Sequence, residues 1–166
     1  MNEITEIKKA LETLKNSINA TFDNLILTLG GETSTDLQME YIYPLNADTH
    51  IFVGKKPAAV LFGEERTEVK TWRGVCEVIL TRCNQNAEHH ETLMYLRNKA
   101  AGKCRVFISD KPDGMKRPLR IDEDIFCETH YGSATLMHIL INRILAPVGF
   151  DCYGINLALI EGGRKL

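Results

Sequence analysis

The chain has 166 residues, 44% of them apolar, and a formal net charge of −2. That length supports one full hydrophobic core plus an appendage, and so small a net charge gives no general argument for nucleic acid or an acidic partner. Five scattered cysteines without a C-x-x-C pair argue against a disulfide framework and fit reduced thiols in a cytoplasmic protein.

The first helix announces itself by spacing. Ile4, Ile7, Leu11, Leu14, Ile18 and Leu25 recur at alternating three- and four-residue steps, with Thr21 and Thr28 weakening the second core position. This is the seam of a coiled coil. A helix over about residues 3–28 with one apolar stripe needs a second surface to bury it, so these six residues are expected to drive homo-oligomerisation. Gly30 and Gly31 suit its end. The expected organisation is therefore an oligomerisation helix over residues 1–30, a polar linker over 31–36, a globular domain over 37–160 and a tail over 161–166. The chain opens on this charged helix rather than an apolar signal core, and its longest apolar run, near residues 139–145, is too short to span a membrane.

Within the globular region, residues 41–44 and 51–53 read as extended. Residues 58–62 and 66–69 flank Gly63-Glu-Glu65, a three-residue hairpin connection. Trp72, Val75, Cys76, Ile79, Leu80 and Cys83 fall at i, i+3, i+4, i+7, i+8 and i+11, the clearest amphipathic helix of the chain. A second helix is expected over 87–101, stopped by Gly102. Residues 104–108 read as a strand, 110–114 as a turn and 125–129 as another strand. Ser133 is expected to cap a helix running to about Leu145, which Ala146-Pro147 then ends. Ile155, Leu157 and Leu159 alternate in a closing strand. Clustered rather than alternating elements predict an α+β fold, a small, largely antiparallel sheet packed with three helices.

Charge is distributed unevenly. Residues 1–66 hold six Lys/Arg against ten Asp/Glu, whereas residues 97–120 hold eight against two. The basic stretch centres on residues 111–120, where two prolines and a glycine predict an exposed loop. Lys111, Lys116, Arg117 and Arg120 are therefore candidate contacts for a nucleic acid or a protein partner; a merely solvated loop is the competing reading.

No Walker loop, G-x-G-x-x-G, H-E-x-x-H or G-x-S-x-G is present, which favours a non-enzymatic role without a cofactor. Cys127, His130 and His138, with Cys83 and His89-His90 elsewhere, are the residue types zinc takes. Strand alternation turns Cys127 and His130 to opposite faces, so no metal site is assigned. Cys104, between Lys103 and Arg105, is the best-placed thiol for nucleophilic chemistry, but burial in the core competes with it. On the last long helix Thr135, His138 and Asn142 form a narrow polar face, preceded by Glu128, His130 and Tyr131. These six residues form either a solvated strip or a polar pocket for phosphate or carboxylate; the alternative function is a small enzyme or ligand-binding domain using Glu128, His130, Tyr131 and His138, with or without zinc.

Pro57-Ala-Ala-Val-Leu-Phe62, Val69-Lys-Thr-Trp72, Arg117-Pro118 and Glu128-Thr-His-Tyr-Gly-Ser-Ala134 together resemble a small domain of uncharacterised proteins from bacterial phages and mobile genetic elements, over about residues 56–160. The resemblance implies a genomic setting and no catalytic residue. In that setting a short coiled-coil protein would be an accessory or regulatory factor, or an antagonist of host defence.

Overall fold

The computed structural model describes residues 7–8, 11–15, 18, 39–102 and 105–161. The chain divides into two units, Met1–Leu37 and Gln38–Leu166. In the first, every described residue is helical. Ile7, Leu11, Leu14 and Ile18 are 59%, 60%, 58% and 48% exposed, while Ile4 and Leu25 of the expected seam lie outside the described residues.

The second unit is α+β and contains two antiparallel sheets where one was expected. The first is built from β1 (Glu40–Pro44), β2 (Lys55–Phe62), β3 (Glu65–Glu68) and β7 (Ile155–Glu161), in the order β1-β7-β2-β3. On its inner face Val60 pairs with Leu157, and both are buried. The β2–β3 turn has two residues, Gly63 and Glu64, because Glu65 already pairs with Phe62; Gly63 adopts φ +61°, which glycine tolerates without steric cost. Residues 51–53, expected to be extended, belong largely to a 3-10 turn, Thr49–Phe52. The Asp48 carboxylate accepts the His50 N–H at 3.0 Å and nucleates that turn, burying Phe52 against the Trp72 ring, 5.3 Å between centroids.

Helix α1 (Trp72–Asn84) starts where the Thr71 hydroxyl accepts the Gly74 N–H and buries Val75, Cys76, Ile79, Leu80 and Cys83, as the periodicity required. Trp72 is half-buried, its indole N–H donating to the Lys55 carbonyl at 3.2 Å. α1 packs on β2 of the first sheet and on β5 (Pro118–Asp122) of the second. It thereby joins the two sheets in one core. Helix α2 (Ala87–Leu96) is capped by Asn86 and ends five residues before the expected stop. Asn98 takes φ +61° and donates its N–H to the Ile108 carbonyl, turning the chain early.

The second sheet has the order β4-β6-β5, with β4 (Ile108–Ser109) and β6 (Ile125–Glu128). The strand expected over 104–108 is reduced to an Ala101–Val106 bridge and β4; Cys104 lies outside the described residues. Conversely, the loop expected over 111–120 ends in β5. Pro118 opens that strand at an edge, where its missing N–H costs nothing, and buried Leu119 alternates with exposed Arg120.

The last long helix also departs from expectation. It begins as α3 (Ser133–Ile139) with Gly132 at the N-cap, while the Ser133 hydroxyl donates to the Phe52 carbonyl at 3.0 Å and ties the helix to the 3-10 turn. Pro147 does not end it. A π-helical stretch, Leu140–Leu145, lets the Ala146 N–H bond five residues back to Ile141, and helix continues as α4 (Ala146–Val148). The wider turn accommodates a ring that a regular α-helix would drive into the preceding turn. Gly149, at φ +77°, supplies the stop. Among the described residues no helix is long and apolar enough to cross a membrane.

Candidate functional site

Strand β6 runs out of the core at Glu128, a carboxylate with no exposed surface. Its Oε2 accepts the Lys116 N–H at 2.6 Å, and its Oε1 accepts the N–H groups of Arg117 and His130, each at 2.9 Å. Burial opposes ionisation, but those three N–H bonds and the nearby Arg105 charge prevail and hold the carboxyl below its ordinary value. Beside it, the Thr129 hydroxyl donates to the Arg117 carbonyl at 2.7 Å, and the Arg73 guanidinium donates to the Pro118 carbonyl at 2.8 Å. Glu128 is therefore a pin for the backbone on both sides and does not line the cleft described next.

His130 and Tyr131, carried just past that pin, form one wall of an open cleft of about 520 Å³. Thr135, His138, Ile139 and Arg143 form the wall on α3 and the π-helical stretch, and Gly102, Arg105 and Phe107 close the third side. A side chain on Gly102 would press on the Phe107 ring, at 3.1 Å from Cζ. Phe107 meets the Tyr131 ring edge-on at 6.3 Å between centroids, and the Arg105 guanidinium lies 6.0 Å from the Tyr131 centroid. Burial and the Glu128 charge push the Tyr131 hydroxyl above its ordinary value, against the pull of Arg105. Asn142 stands beside the cleft. Its amide donates to His138 Nδ1 and to the His138 carbonyl, both at 3.2 Å, an arrangement in which Nδ1 accepts and Nε2 is the ring nitrogen that carries the N–H.

Of the six pocket residues expected from the sequence, His130, Tyr131, Thr135 and His138 line this cleft, Asn142 orients one of them, and Glu128 anchors the wall from behind. Arg105 and Arg143 escaped sequence reasoning. Neither takes part in an ion pair among the described residues. The available signal was Arg143 at i+4 from Ile139 and i+8 from Thr135, the one Lys or Arg on a mostly apolar helix.

A second cleft of about 480 Å³ shares Gly102 and Arg105 with the first and continues to Asp113, Gly114 and Met115, directly before Lys116. Lys111, Lys116, Arg117 and Arg120 are exposed. Of these side chains only Arg120 makes a hydrogen bond among the described residues, to the Asp122 carbonyl.

Among the described cysteines Cys76, Cys83 and Cys127 are buried and Cys152 is half-buried. Cys127 is buried, and burial, then the Glu128 charge, pushes its thiol up to about 12. His130, by contrast, is exposed. His90 Nδ1 lies 2.9 Å from the Asn84 side-chain oxygen, and the His89 ring packs edge-on against Phe150. No group of three or more His, Cys, Asp or Glu is placed to hold a metal ion among the described residues.

No protein-family model, no curated protein and no solved structure matches this chain.

Proposed function

We propose that this chain is a self-associating, non-enzymatic protein that binds single-stranded nucleic acid along one strip of cations. The strip runs from Arg143 and Arg105 in the cleft to Lys116, Arg117 and Lys111 on the basic segment. The observation that carries the reading is the Glu128 pin. By taking the N–H groups of Arg117 and His130 on one oxygen, it sets the basic segment beside the wall of the cleft. None of these five cations is in a salt bridge among the described residues, although Arg105 acts at longer range on Glu128 and Lys111 on Asp110, so much of their charge is available to phosphates. Tyr131, half-exposed and flanked by Arg105 and Phe107, offers a face on which a base can stack, which favours a single strand over a duplex. With its oxygens already taken by three N–H groups, Glu128 is a poor general base, so a non-enzymatic role fits better than an enzyme built on it.

In the same proposal, the N-terminal unit supplies oligomerisation through Ile4, Ile7, Leu11, Leu14, Ile18 and Leu25; the four of these that are described lie on helix and carry apolar side chains in the open. Free thiols at Cys76, Cys83, Cys127 and Cys152 support a reducing, cytoplasmic setting. The resemblance over residues 56–160 supports an accessory factor of a phage or mobile element, with antagonism of host defence as the version in which the partner is a protein.

The test is fluorescence anisotropy with single-stranded DNA, single-stranded RNA and duplex across a salt series. Affinity should fall with salt by a log–log slope of about −0.7 per phosphate contacted on a single strand, and Lys116→Glu with Arg117→Glu should flatten it by about 1.4. Absence of binding by wild type to any of the three at about 50 mM salt would refute the reading.

A further inference from the structure

We propose that the cleft between Arg105 and Arg143 is a subsite for a terminal phosphomonoester, so that the protein prefers a strand with a phosphorylated end. The inference rests on the nucleic-acid reading and sharpens it, since it assigns the cleft a ligand different from the internal diesters met along the rest of the strip.

The lining carries the argument. The two clefts along the strip share Arg105 but differ in charge: the second adds Asp113, whereas the first adds Arg143, His130 and His138 and has no acidic residue in its lining. Arg105, Arg143, His130, His138 and Thr135 all line the first. A guanidinium presents a planar fork of N–H donors that matches two phosphate oxygens at once. An internal diester carries one negative charge and has two of its oxygens tied up in ester bonds. A terminal monoester carries about −1.5 to −2 at neutral pH and offers three free oxygens. Several converging donors therefore reward the monoester over the diester. His138 is pre-set for this role, because the Asn142 amide on Nδ1 leaves the donor at Nε2.

The apolar part of the lining accounts for the rest of the ligand. Tyr131, Phe107 and Ile139 sit in the same cleft as the cations, and about 520 Å³ lies within the range of sites that enclose a small molecule. The phosphate would lie between the two arginines with the terminal base against the Tyr131 ring. The cation near Tyr131, Arg105, is shared with the second cleft, whose lining ends at Met115, the residue before Lys116, and the remaining strand would continue that way toward Lys116 and Arg117.

The experiment compares one short oligonucleotide with a 5′-phosphate, a 3′-phosphate or neither, and separately AMP against adenosine. Wild type should bind one phosphorylated form about tenfold or more tightly than the unphosphorylated strand, the order expected for an added charged hydrogen bond; the two phosphorylated arms report which end is taken. Arg143→Ala and Arg105→Gln, each checked for folding by circular dichroism, should bring the ratio of phosphorylated to unphosphorylated affinity close to one. The Lys116→Glu, Arg117→Glu protein should weaken both strands and keep the ratio. Equal affinity of wild type for all three strands, with salt-dependent binding intact, overturns the subsite and leaves the strip. Binding of AMP over adenosine without binding of any strand supports the anion cleft and overturns the strip. Failure to bind strands and AMP alike overturns both.

Discussion

Arg117 and His130 share a single acceptor atom, Oε1 of Glu128, each donating its backbone N–H at 2.9 Å. One buried carboxylate thus fixes the entry to β5 relative to the exit from β6, and with it the spacing of two surfaces that sequence alone presents as unrelated. Glu128→Gln leaves an amide NH2 opposed to at least one of three N–H donors. The expected loss is about 3 kcal/mol at neutral pH, since hydrogen bonds to a charged group contribute about 1.5–3 kcal/mol and a stranded donor adds to the cost. The folded carboxyl lies below its ordinary value of 4.5. Its stabilisation is therefore fully present above that value and is lost as pH falls through the lower, folded value. Chemical denaturation of both proteins should show the gap at pH 7 closing on acidification below 4.5. A constant gap down to strongly acid pH would show that the charge is not what holds the pin.

Cysteine chemistry gives a second expectation. Burial raises the thiols of Cys76, Cys83 and Cys127, the last two to about 12, with Cys152 adding to the effect on Cys83 and Glu128 to that on Cys127. At pH 8 a thiol titrating near 12 is thiolate in only about one molecule in ten thousand, and the thiolate is the nucleophile. Iodoacetamide labelling of the native protein, mapped by mass spectrometry, should leave these three positions unmodified until denaturant is added. Rapid native labelling at Cys127 would contradict the inward placement of β6.

The long C-terminal helix yields a third. Leu140 is 1% exposed and stands first in the π-helical stretch. Leu140→Ala should cost about 2–5 kcal/mol, as large-to-small changes in a packed core do. A measured loss under about 0.5 kcal/mol, the range typical of surface positions, would mean that the stretch presents a different face to the core.

What could be read from the sequence was what a single periodicity carries. The stripe from Val75 to Cys83 repeats at helical spacing and becomes the buried face of α1; Ile155, Leu157 and Leu159 alternate and become the buried face of β7. Strand β5 carries a weak signal because it is short and opens on Pro118 amid cations, a composition shared with solvated turns. Pro147 read as a stop because propensity weighs the ring alone, whereas a local change to π-helical bonding lets the helix pass it. At the cleft, His138 and Thr135 were visible as polar interruptions of an apolar helix. Arg105 was not, since it comes to Tyr131 from a distant segment by tertiary contact. Glu128 was found but misplaced: a carboxylate among polar neighbours reads as a site residue until its bonds are traced to backbone N–H groups.

Self-association is the last expectation. Ile7, Leu11, Leu14 and Ile18 are 48–60% exposed, and a helix that leaves one apolar stripe open gains by pairing that stripe with another copy. Leu11→Asp with Ile18→Asp places two charges on the stripe, where pairing would force them out of water at a cost that no partner charge offsets. The double variant should sediment and scatter light as a monomer while its circular dichroism and denaturation midpoint stay close to wild type. If the strip of cations binds nucleic acid, two or more strips in one particle raise avidity wherever a strand can engage both. The monomeric variant should then bind long single strands more weakly than wild type does and short ones about equally. A wild type already monomeric at about tens of micromolar, in the range where such coils associate, would remove the oligomer and leave a single cationic strip to account for whatever binding is seen.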